Sequence, residues 1–270
     1  MQINGGDMMI AIDIGNTNTN IALMQGTRVK RSESVPTGFR GCFEKKVAKV
    51  LRKFSDVVGS SPIRRGDFLW PRDTCQVIIC SVSPKALPIV KRCVKKVLKI
   101  NAKIIGKDIS VPITNKYRKP KQVGQDRLVC AYAAMQLYGK PAIVVDLGTA
   151  ITLDVVSSRG SYEGGIIVPG IRLSAESLYQ KTALLPQIDI HKPCNLIGTD
   201  TEGSILSGIF YGYGAMISGL IAQISKKIKG KPKVIVTGGY ASIMKKYIQR
   251  KVDIIDTDLV FKGLSLLNNT

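Results

Sequence analysis

The pattern of apolar and polar positions predicts two hairpins of the same design, one in each half of the chain. Residues 8–23 consist of an apolar run, an aspartate, a glycine-led turn and a second apolar run, and residues 142–156 repeat this order. Apolar runs separated by a turn rich in Gly and Thr are typical of β-hairpins. Asp13 and Asp146 end the first run of each copy. We therefore expect a duplicated domain with one hairpin per half.

The rest of the pattern alternates between short strands and amphipathic helices. Apolar residues recur with helical spacing in several segments, namely 43–54, 87–98, 128–135, 171–178 and 205–219. Strands are expected at 27–35, 76–82, 102–105, 163–168 and 233–237, and a basic helix is expected from Ser242. Residues 55–74 and 107–123 show no period, so both are expected to be loops. This order predicts an α/β fold with mixed β-sheets flanked by helices. We place the domains at 1–120 and 121–270.

Composition argues against a membrane-spanning, a secreted and a disulfide-bonded protein. The chain has 270 residues, of which 44% are hydrophobic, enough for two ordinary domains. No apolar run approaches the roughly 20 residues of a membrane span, and no secretory leader is visible. The six cysteines form no CxxC pair, so we interpret them as reduced thiols. We therefore expect a cytoplasmic protein with no membrane partner, and the single histidine, His191, argues against a His-based catalytic triad.

The charge is strongly basic. Lys and Arg number 40 against 19 Asp and Glu, a formal net charge of +21. Such a balance is typical either of a nucleic-acid-binding protein or of a solvated basic surface around a site for anions. Lys dominates and aromatics make up only 6%, so platforms for stacking bases are scarce. Composition thus favours the solvated surface over nucleic acid as a partner.

The glycine-led turns carry the first candidate chemistry. Gly lets backbone N–H groups turn toward an anion and approach it closely, and such turns occur at 15–18, 148–150 and 237–239. Asp13 and Asp146, beside two of them, suit a cation that offsets phosphate charge. Neither GxxxxGK[ST] nor GxGxxG is present, which argues against a Walker loop and a Rossmann fingerprint. The turns therefore predict a polyphosphate site of another kind.

Phosphoryl transfer to a hydroxyl also needs a carboxylate that accepts the proton. Asp126 is the best candidate, because it follows Gly124 and opens a predicted helix. A role as a helix N-cap is equally compatible with this position. Arg127, next to it, could bind a substrate carboxylate or phosphate. Asp154, in the returning strand, is a lesser candidate for the base.

These motifs together resemble a known family. The hairpins and the Gly-Gly turn resemble the superfamily of acetate kinase, sugar kinases, heat-shock ATPases and actin. The chain is similar to type III pantothenate kinases along nearly its whole length. That similarity rests on the order and spacing of Asp13–Asn18, Gly124–Arg127, Asp146–Asp154, Gly164-Gly165 with Pro169-Gly170, and Thr237–Gly239.

The resemblance implies a fold and an activity. The fold would be two actin-like (ribonuclease H-like) domains with the active site in the cleft between them. The activity would be ATP-dependent phosphorylation of pantothenate to 4′-phosphopantothenate, the first step of coenzyme A biosynthesis. Two alternatives stay open: another small-molecule kinase of the superfamily, and a nucleic-acid-associated member of the same family described as a transcriptional accessory factor.

The resemblance also implies a role for individual residues. Nucleotide phosphates would be bound by Asp13, Ile14, Gly15, Asn16, Thr17, Asn18, Thr19, Asn20 and Thr149. Asp126 would be the general base, and pantothenate would contact Tyr117, Gly124, Gln125, Asp126, Arg127 and Thr201. Asp146 would bind a monovalent cation (K⁺ or NH₄⁺), Mg²⁺ would accompany ATP, and the protein would form a homodimer. Gln125 departs from the family, in which this motif usually reads Gly-Ala-Asp-Arg.

Overall fold

The computed structural model describes residues 8–38, 42–58 and 76–268. Cys75 and most of the predicted loop 55–74 lie outside them. The chain divides into two compact units that are discontinuous in sequence. Unit 1 comprises Met1–Pro112, Lys121–Ala133 and Val260–Thr270, and unit 2 comprises Ile113–Pro120 and Ala134–Leu259. The proposed division at 120 and 121 stays a prediction.

Unit 1 is built on a five-stranded sheet with the order β3-β2-β1-β4-β5. Its elements are β1 (Met8–Ile14), β2 (Asn18–Gln25), β3 (Arg28–Pro36), α1 (Phe43–Val58), β4 (Gln76–Ser81), α2 (Leu87–Leu98) and β5 (Lys103–Ile104). The first three strands form an antiparallel meander, and β4 and β5 join its β1 edge in parallel. The apolar stripes of α1 and α2 pack with Ile10, Ile12 and Ile14 of β1 in one core.

Two further helices belong wholly or partly to unit 1. These are the first part of α3 (Gln125–Tyr138) and nearly all of the last helix, which is α7 in chain order (Leu259–Leu267). A side chain on Gly263 would lie 2.6 Å from Val129 Cγ1, so the two helices approach closely at this glycine. Ser265 Oγ donates a hydrogen bond to the carbonyl of Gly26, 2.6 Å away, at the turn between β2 and β3.

Unit 2 is built on a six-stranded sheet with the order β11-β10-β7-β8-β9-β6. Its strands are β6 (Thr114–Asn115), β7 (Ala142–Leu147), β8 (Ala150–Val156), β9 (Ser161–Pro169), β10 (Lys233–Thr237) and β11 (Ile254–Ile255). Its helices are α4 (Ile171–Lys181), α5 (Thr201–Lys227) and α6 (Ala241–Met244), and a 3₁₀ turn covers Pro120–Gln122. The buried side of α5 packs with Ile143, Val145 and Leu147 of β7 in the core.

The two sheets repeat one strand order. In unit 2, β7, β8 and β9 form an antiparallel meander, and β10 and β11 join its β7 edge in parallel. This matches β1 to β5 of unit 1 strand for strand, with β6 as an addition. The prediction of a duplicated α/β fold with mixed sheets flanked by helices is therefore confirmed.

Some local predictions differ from the structure. The connector 107–123 contains β6, which pairs in parallel with β9. The basic helix expected from Ser242 is a single turn ending at Met244, because the following residues form a turn in which Tyr247 packs against α5. The strand β11 has only two residues, too few for a pattern of its own to show in the sequence.

One helix also qualifies the expectation about membranes. Within the described residues, α5 is long and apolar enough to cross a membrane, with a mean hydropathy of 1.6 over its most apolar window. Of that window, 44% is buried inside the structure, where it packs in the core of unit 2. A core helix of a soluble protein passes the same test of length and composition.

The close contact between α5 and Tyr247 gives a test of the fold. A side chain on the buried Gly214 would collide with the Tyr247 carbonyl, so we expect Gly214→Ala to destabilise the protein by about 1–3 kcal/mol. Gly212→Ala is the control, because Gly212 is exposed on the same helix with no neighbour within 4 Å of an added Cβ; there Ala should stabilise by roughly 0.5–1 kcal/mol. Urea unfolding measures both variants, and equal effects would contradict this packing.

Candidate active site

The first hairpin presents an exposed turn between β1 and β2. Gly15 N–H donates to the Asn18 carbonyl, 2.9 Å away, and closes the turn. The side chains of Asn16, Thr17 and Asn18 are exposed. An exposed turn with backbone amides, hydroxyls and side-chain amides suits an anion.

Two of the predicted nucleotide contacts in this hairpin have buried side chains. Ile14 lies in the core of unit 1. Thr19 is fully buried, and its hydroxyl shares a hydrogen bond of 2.9 Å with the hydroxyl of Thr37 on the segment after β3. These two residues therefore offer a ligand only their main-chain groups. Asn20 is half-buried and lies opposite Asp13 in the β1–β2 pairing.

The charges of Asp13 and Asp126 both raise the pKa of one buried thiol, that of Cys80. Cys80 of β4 is the partner of Asp13 in the parallel pairing with β1, and the thiol is fully buried. Burial raises the pKa of Cys80 well above its usual value, and the charges of Asp13 and Asp126 raise it further. The thiol therefore stays protonated at neutral pH. Asp13, through the strand pairing, and Asp126, at the start of α3, therefore both lie within electrostatic range of this thiol.

Cys80 is a site neighbour that sequence reasoning missed. Its apolar surroundings in the sequence suggest only a buried strand residue, and no motif marks it. The five described cysteines are free thiols.

Asp126 lies in the first turn of α3. The helix begins at Gln125, and the carbonyl of Gly124 accepts a hydrogen bond from Leu128 N–H at 3.3 Å. Gly124 thus occupies the N-cap position, and the N-cap alternative for Asp126 is wrong. Asp126 Oδ1 accepts from Arg127 N–H at 2.8 Å. Asp126 and Arg127 are both half-buried.

Gly124 leaves room for the Asp126 carboxylate. A Cβ at position 124 would lie 2.5 Å from Asp126 Oδ1 and 3.7 Å from Val82 Cγ1, beyond the end of β4. The glycine of the Gly-x-Asp-Arg motif is therefore required by close approach of the carboxylate.

Gln125 packs on the turn that follows β5. Gly106 has a φ of +80°, and a Cβ on it would lie 2.8 Å from Gln125 Cδ and 3.0 Å from Gln125 Oε1. Gly106 N–H donates to the Ile109 carbonyl, 2.8 Å away, within the same turn. The side chain that departs from the family pattern therefore lies against backbone in unit 1.

The second hairpin is enclosed by two further glycine turns of unit 2. Gly170 N–H donates to the Thr149 carbonyl at 3.1 Å. Asp146 is paired with Thr237 of β10, and Gly238, with a φ of +90°, follows it. A Cβ on Gly238 would collide with Asp146 Oδ1 and the Leu147 backbone. Asp146 is half-buried and Thr149 is exposed at the tip of the turn.

Tyr117 and Thr201 also lie in unit 2. Tyr117 is half-buried, and its ring would lie 3.4 Å from a Cβ on Gly164 of β9. Thr201 is the exposed first residue of α5, after the N-cap Asp200, whose carboxylate accepts from Gly203 N–H at 2.6 Å. Thr201 lines a groove of about 410 Å³ between α4 and α5, whose other lining residues are Ser174, Leu178, Leu185, Ser204, Ile205, Gly208, Ile209 and Tyr213.

Asp154, the lesser candidate for the base, is a buried residue of β8. Its carboxylate accepts from Thr152 Oγ1 at 2.9 Å and from Tyr162 Oη at 2.7 Å, and the residue is 1% exposed. A carboxylate bound in this way stabilises the sheet and is closed to a substrate hydroxyl.

Among the described residues, no cluster of three or more His, Cys, Asp or Glu could hold a metal ion. Mg²⁺ is commonly held by one or two carboxylates together with substrate phosphates. A single carboxylate beside a phosphate turn, as at Asp13 or Asp146, fits that mode of binding.

The chain is similar to known proteins in sequence and in fold. Residues 9–223 match the family model described as type III pantothenate kinase. The type III pantothenate kinase of Halalkalibacterium halodurans is 38% identical over 260 residues, covering 96% of this chain and 98% of the relative.

Two solved structures share the fold at low identity. One is component A of (R)-2-hydroxyglutaryl-CoA dehydratase from Acidaminococcus fermentans, with a TM-score of 0.53 and 12% identity over 98% of each chain. The other is the ethanolamine utilization protein EutJ from Carboxydothermus hydrogenoformans, with a TM-score of 0.54 and 12% identity over 98% of this chain and 92% of that one.

The contact between Gly124 and Asp126 generates a test of the site. Gly124→Ala should displace the Asp126 carboxylate, since the added Cβ would lie 2.5 Å from Oδ1. A displacement of about 1 Å at a reacting group costs on the order of 100-fold in rate, so we expect pantothenate-dependent ADP release to fall by about that factor. Gly219→Ala, at an exposed glycine with no neighbour within 4 Å, is the control. Equal activity of both variants would show that Asp126 need not occupy its present position.

Proposed function

The chain belongs to the type III pantothenate kinase family, and from that premise we propose how its residues transfer the γ-phosphoryl group of ATP to the 4′-hydroxyl of pantothenate. The reaction is the first step of coenzyme A biosynthesis. In the proposed mechanism, Asp126 accepts the proton of the attacking hydroxyl, and the oxygen attacks the γ-phosphorus in line with the leaving ADP.

The observation that carries this proposal is the placement of Asp126. It opens α3 in the same unit as Asp13, and both carboxylates act on the buried Cys80 thiol. Gly124 keeps the space next to the carboxylate open. Because the thiol stays protonated, it adds no third negative charge beside the two carboxylates. Arg127, next in the chain, is proposed to bind the carboxylate of pantothenate.

The nucleotide is proposed to bind through the turns of the hairpins. In the first, Gly15, Asn16, Thr17 and Asn18 would approach the phosphates with main-chain and side-chain groups, whereas Ile14 and Thr19 would contribute main chain alone. In the second, Thr149 would make one further phosphate contact. The net charge of +21 raises the local concentration of anions such as ATP near the protein.

Asp146 is proposed to bind a monovalent cation, K⁺ or NH₄⁺. The residues fit such an ion: the carboxylate is half-buried and lies directly against Gly238, where a side chain would fill the space. Bound there, the cation would offset phosphate charge. Mg²⁺ is proposed to be held through the phosphates of ATP together with the carboxylate of Asp13.

A homodimer is proposed from the apolar side chains exposed on α4 and on the segment between α4 and α5, of which Leu178 also lines the groove of unit 2. Clustered exposure of large apolar side chains often marks an interaction surface; those exposed here are Leu173, Leu178, Leu184, Leu196 and Ile197, with Leu184 92% and Ile197 78% exposed. The same groove includes Thr201, a predicted pantothenate contact. A second copy would cover this surface. A cytoplasmic location is proposed from the free thiols.

The assignment of the base is tested by a coupled ADP-release assay with ATP and pantothenate, in the presence and absence of K⁺. We expect turnover to require pantothenate, to fall without K⁺, and to drop by about 10²- to 10⁴-fold in Asp126→Asn, which removes the proton acceptor. Asp56→Asn, an exposed aspartate of α1, is the matched control. No pantothenate-dependent turnover with any cation would contradict the function, and unchanged turnover in Asp126→Asn would remove Asp126 as the base.

The dimer is tested by light scattering coupled to gel filtration. Wild-type protein should have about twice the chain mass of 29.3 kDa. Leu184→Glu should shift the mass toward the monomer, because it places a charge in the apolar surface that the partner would bury. Lys85→Glu, an exposed residue of unit 1, should leave the dimer intact. A monomeric wild-type protein at micromolar concentration would rule the dimer out.

A further inference from the structure

Tyr117, a proposed pantothenate contact, lies directly after a strand of only two residues. β6 pairs in parallel with the start of β9, with Thr114 opposite Ser161 and Asn115 opposite Tyr162. One more main-chain hydrogen bond follows, from Lys116 N–H to the Tyr162 carbonyl at 2.9 Å. Tyr117 N–H donates to the side-chain oxygen of Asn115 at 2.9 Å. So short a pairing provides few main-chain bonds to hold the ring in place.

Side chains of β9 and of the turn before it reinforce this pairing. Ser157 and Ser161 share a hydroxyl hydrogen bond of 2.8 Å, and Ser161 Oγ donates to Glu163 Oε1 at 2.7 Å. The same carboxylate oxygen lies 3.2 Å from the ammonium of Lys116. Ser161 is only 4% exposed. Glu163 therefore connects a buried hydroxyl of the sheet to the residue that precedes Tyr117.

The carboxylate of Glu163 is held in its charged form. The hydrogen bond from Ser161 is the largest cause and lowers its pKa; burial opposes it, and Lys116 and Ser157 lower the pKa further. At neutral pH the link to Lys116 is thus an ion pair supported by a hydroxyl.

The next residue of β9 supports the ring itself. Gly164 has a φ of +120°, and a Cβ there would lie 3.4 and 3.5 Å from Tyr117 Cδ2 and Cε2. Two successive residues of β9 thus contact two successive residues of the connector. Glu163 holds Lys116, and Gly164 lies against Tyr117.

We propose that Glu163 is a positioning residue for pantothenate binding, because through Lys116 and Ser161 it holds residues 114–117 against β9 and so sets where the Tyr117 ring lies. This inference rests on the proposed function of Tyr117. The Lys116 and Glu163 side chains are 49% and 35% exposed, which limits the strength of their ion pair. The expected effect on pantothenate affinity is about two- to fivefold, equivalent to roughly 0.4–1 kcal/mol.

The test measures pantothenate and ATP separately. Glu163→Ala should raise KM for pantothenate, and the dissociation constant from isothermal titration, by about two- to fivefold. KM for ATP and kcat should stay within experimental error, because the residue is not proposed to touch either the nucleotide or the reacting atoms. Glu163→Gln, which keeps an acceptor for Ser161 and Lys116, should recover part of the affinity. Lys116→Met should match Glu163→Ala, and the double variant should be no worse than either.

Glu33→Ala is the matched control. Glu33 forms a surface ion pair with Lys53 in unit 1, away from the β6–β9 pairing in the sequence and in a different sheet. It should leave every parameter unchanged. A loss of affinity in this control equal to that of Glu163→Ala would overturn the positioning role.

Other outcomes separate the inference from the function on which it rests. An active wild-type enzyme whose pantothenate affinity is unaffected by Glu163→Ala, or whose Glu163 and Lys116 variants add independently, overturns the positioning role alone. Unchanged affinity in Tyr117→Ala overturns the role of Tyr117, and the inference with it. A wild-type protein without pantothenate-dependent turnover overturns the proposed mechanism as a whole.

Discussion

The parallel pairing of each hairpin's first strand with a later strand determines where the acidic side chains lie. β1 pairs with β4, so Asp13 is opposite Cys80, and β7 pairs with β10, so Asp146 is opposite Thr237. Parallel neighbours end at the same edge of a sheet, which brings the hairpin turn and the end of the later strand together. Within each unit, the proposed ligand-binding groups therefore follow from the order of the strands.

Close approach is the second constraint, and it explains why the motifs contain glycine. At Gly124 the Asp126 carboxylate occupies the space of a side chain, at Gly238 the Asp146 carboxylate does so, and at Gly170 the Thr149 carbonyl does so. Only the second of these has a positive φ. Two of the three glycines are thus required for space rather than for backbone conformation. Glycine therefore occurs in these motifs where another group approaches the backbone too closely for a side chain.

Local patterns made much of the fold predictable, and long-range contacts account for what was missed. The bounds of α2 agree at both ends with those predicted from its apolar spacing, because the pattern of an amphipathic helix depends only on residues close together in the sequence. Cys80, β6 and the Ser161–Glu163–Lys116 network depend on pairing between strands distant in sequence. A long-range contact also changes one residue of the first hairpin. Thr19 lies inside the predicted phosphate loop, yet its buried hydroxyl shares a hydrogen bond with the hydroxyl of Thr37.

The duplicated hairpins have different electrostatic surroundings despite their common strand order. In unit 1, Asp13 shares the neighbourhood of Cys80 with a second carboxylate; burial is the main cause of the raised pKa of the thiol, and the negative potential of the two carboxylates raises it further. Such a potential favours uptake of a proton, which is what a general base must do. In unit 2, Asp146 lies instead against the main chain of Gly238 and opposite the hydroxyl-bearing Thr237. This half-buried carboxylate beside main-chain and hydroxyl groups is the one for which a monovalent cation is proposed. The same strand order is thus compatible with different proposed roles for Asp13 and Asp146, because different residues face each aspartate.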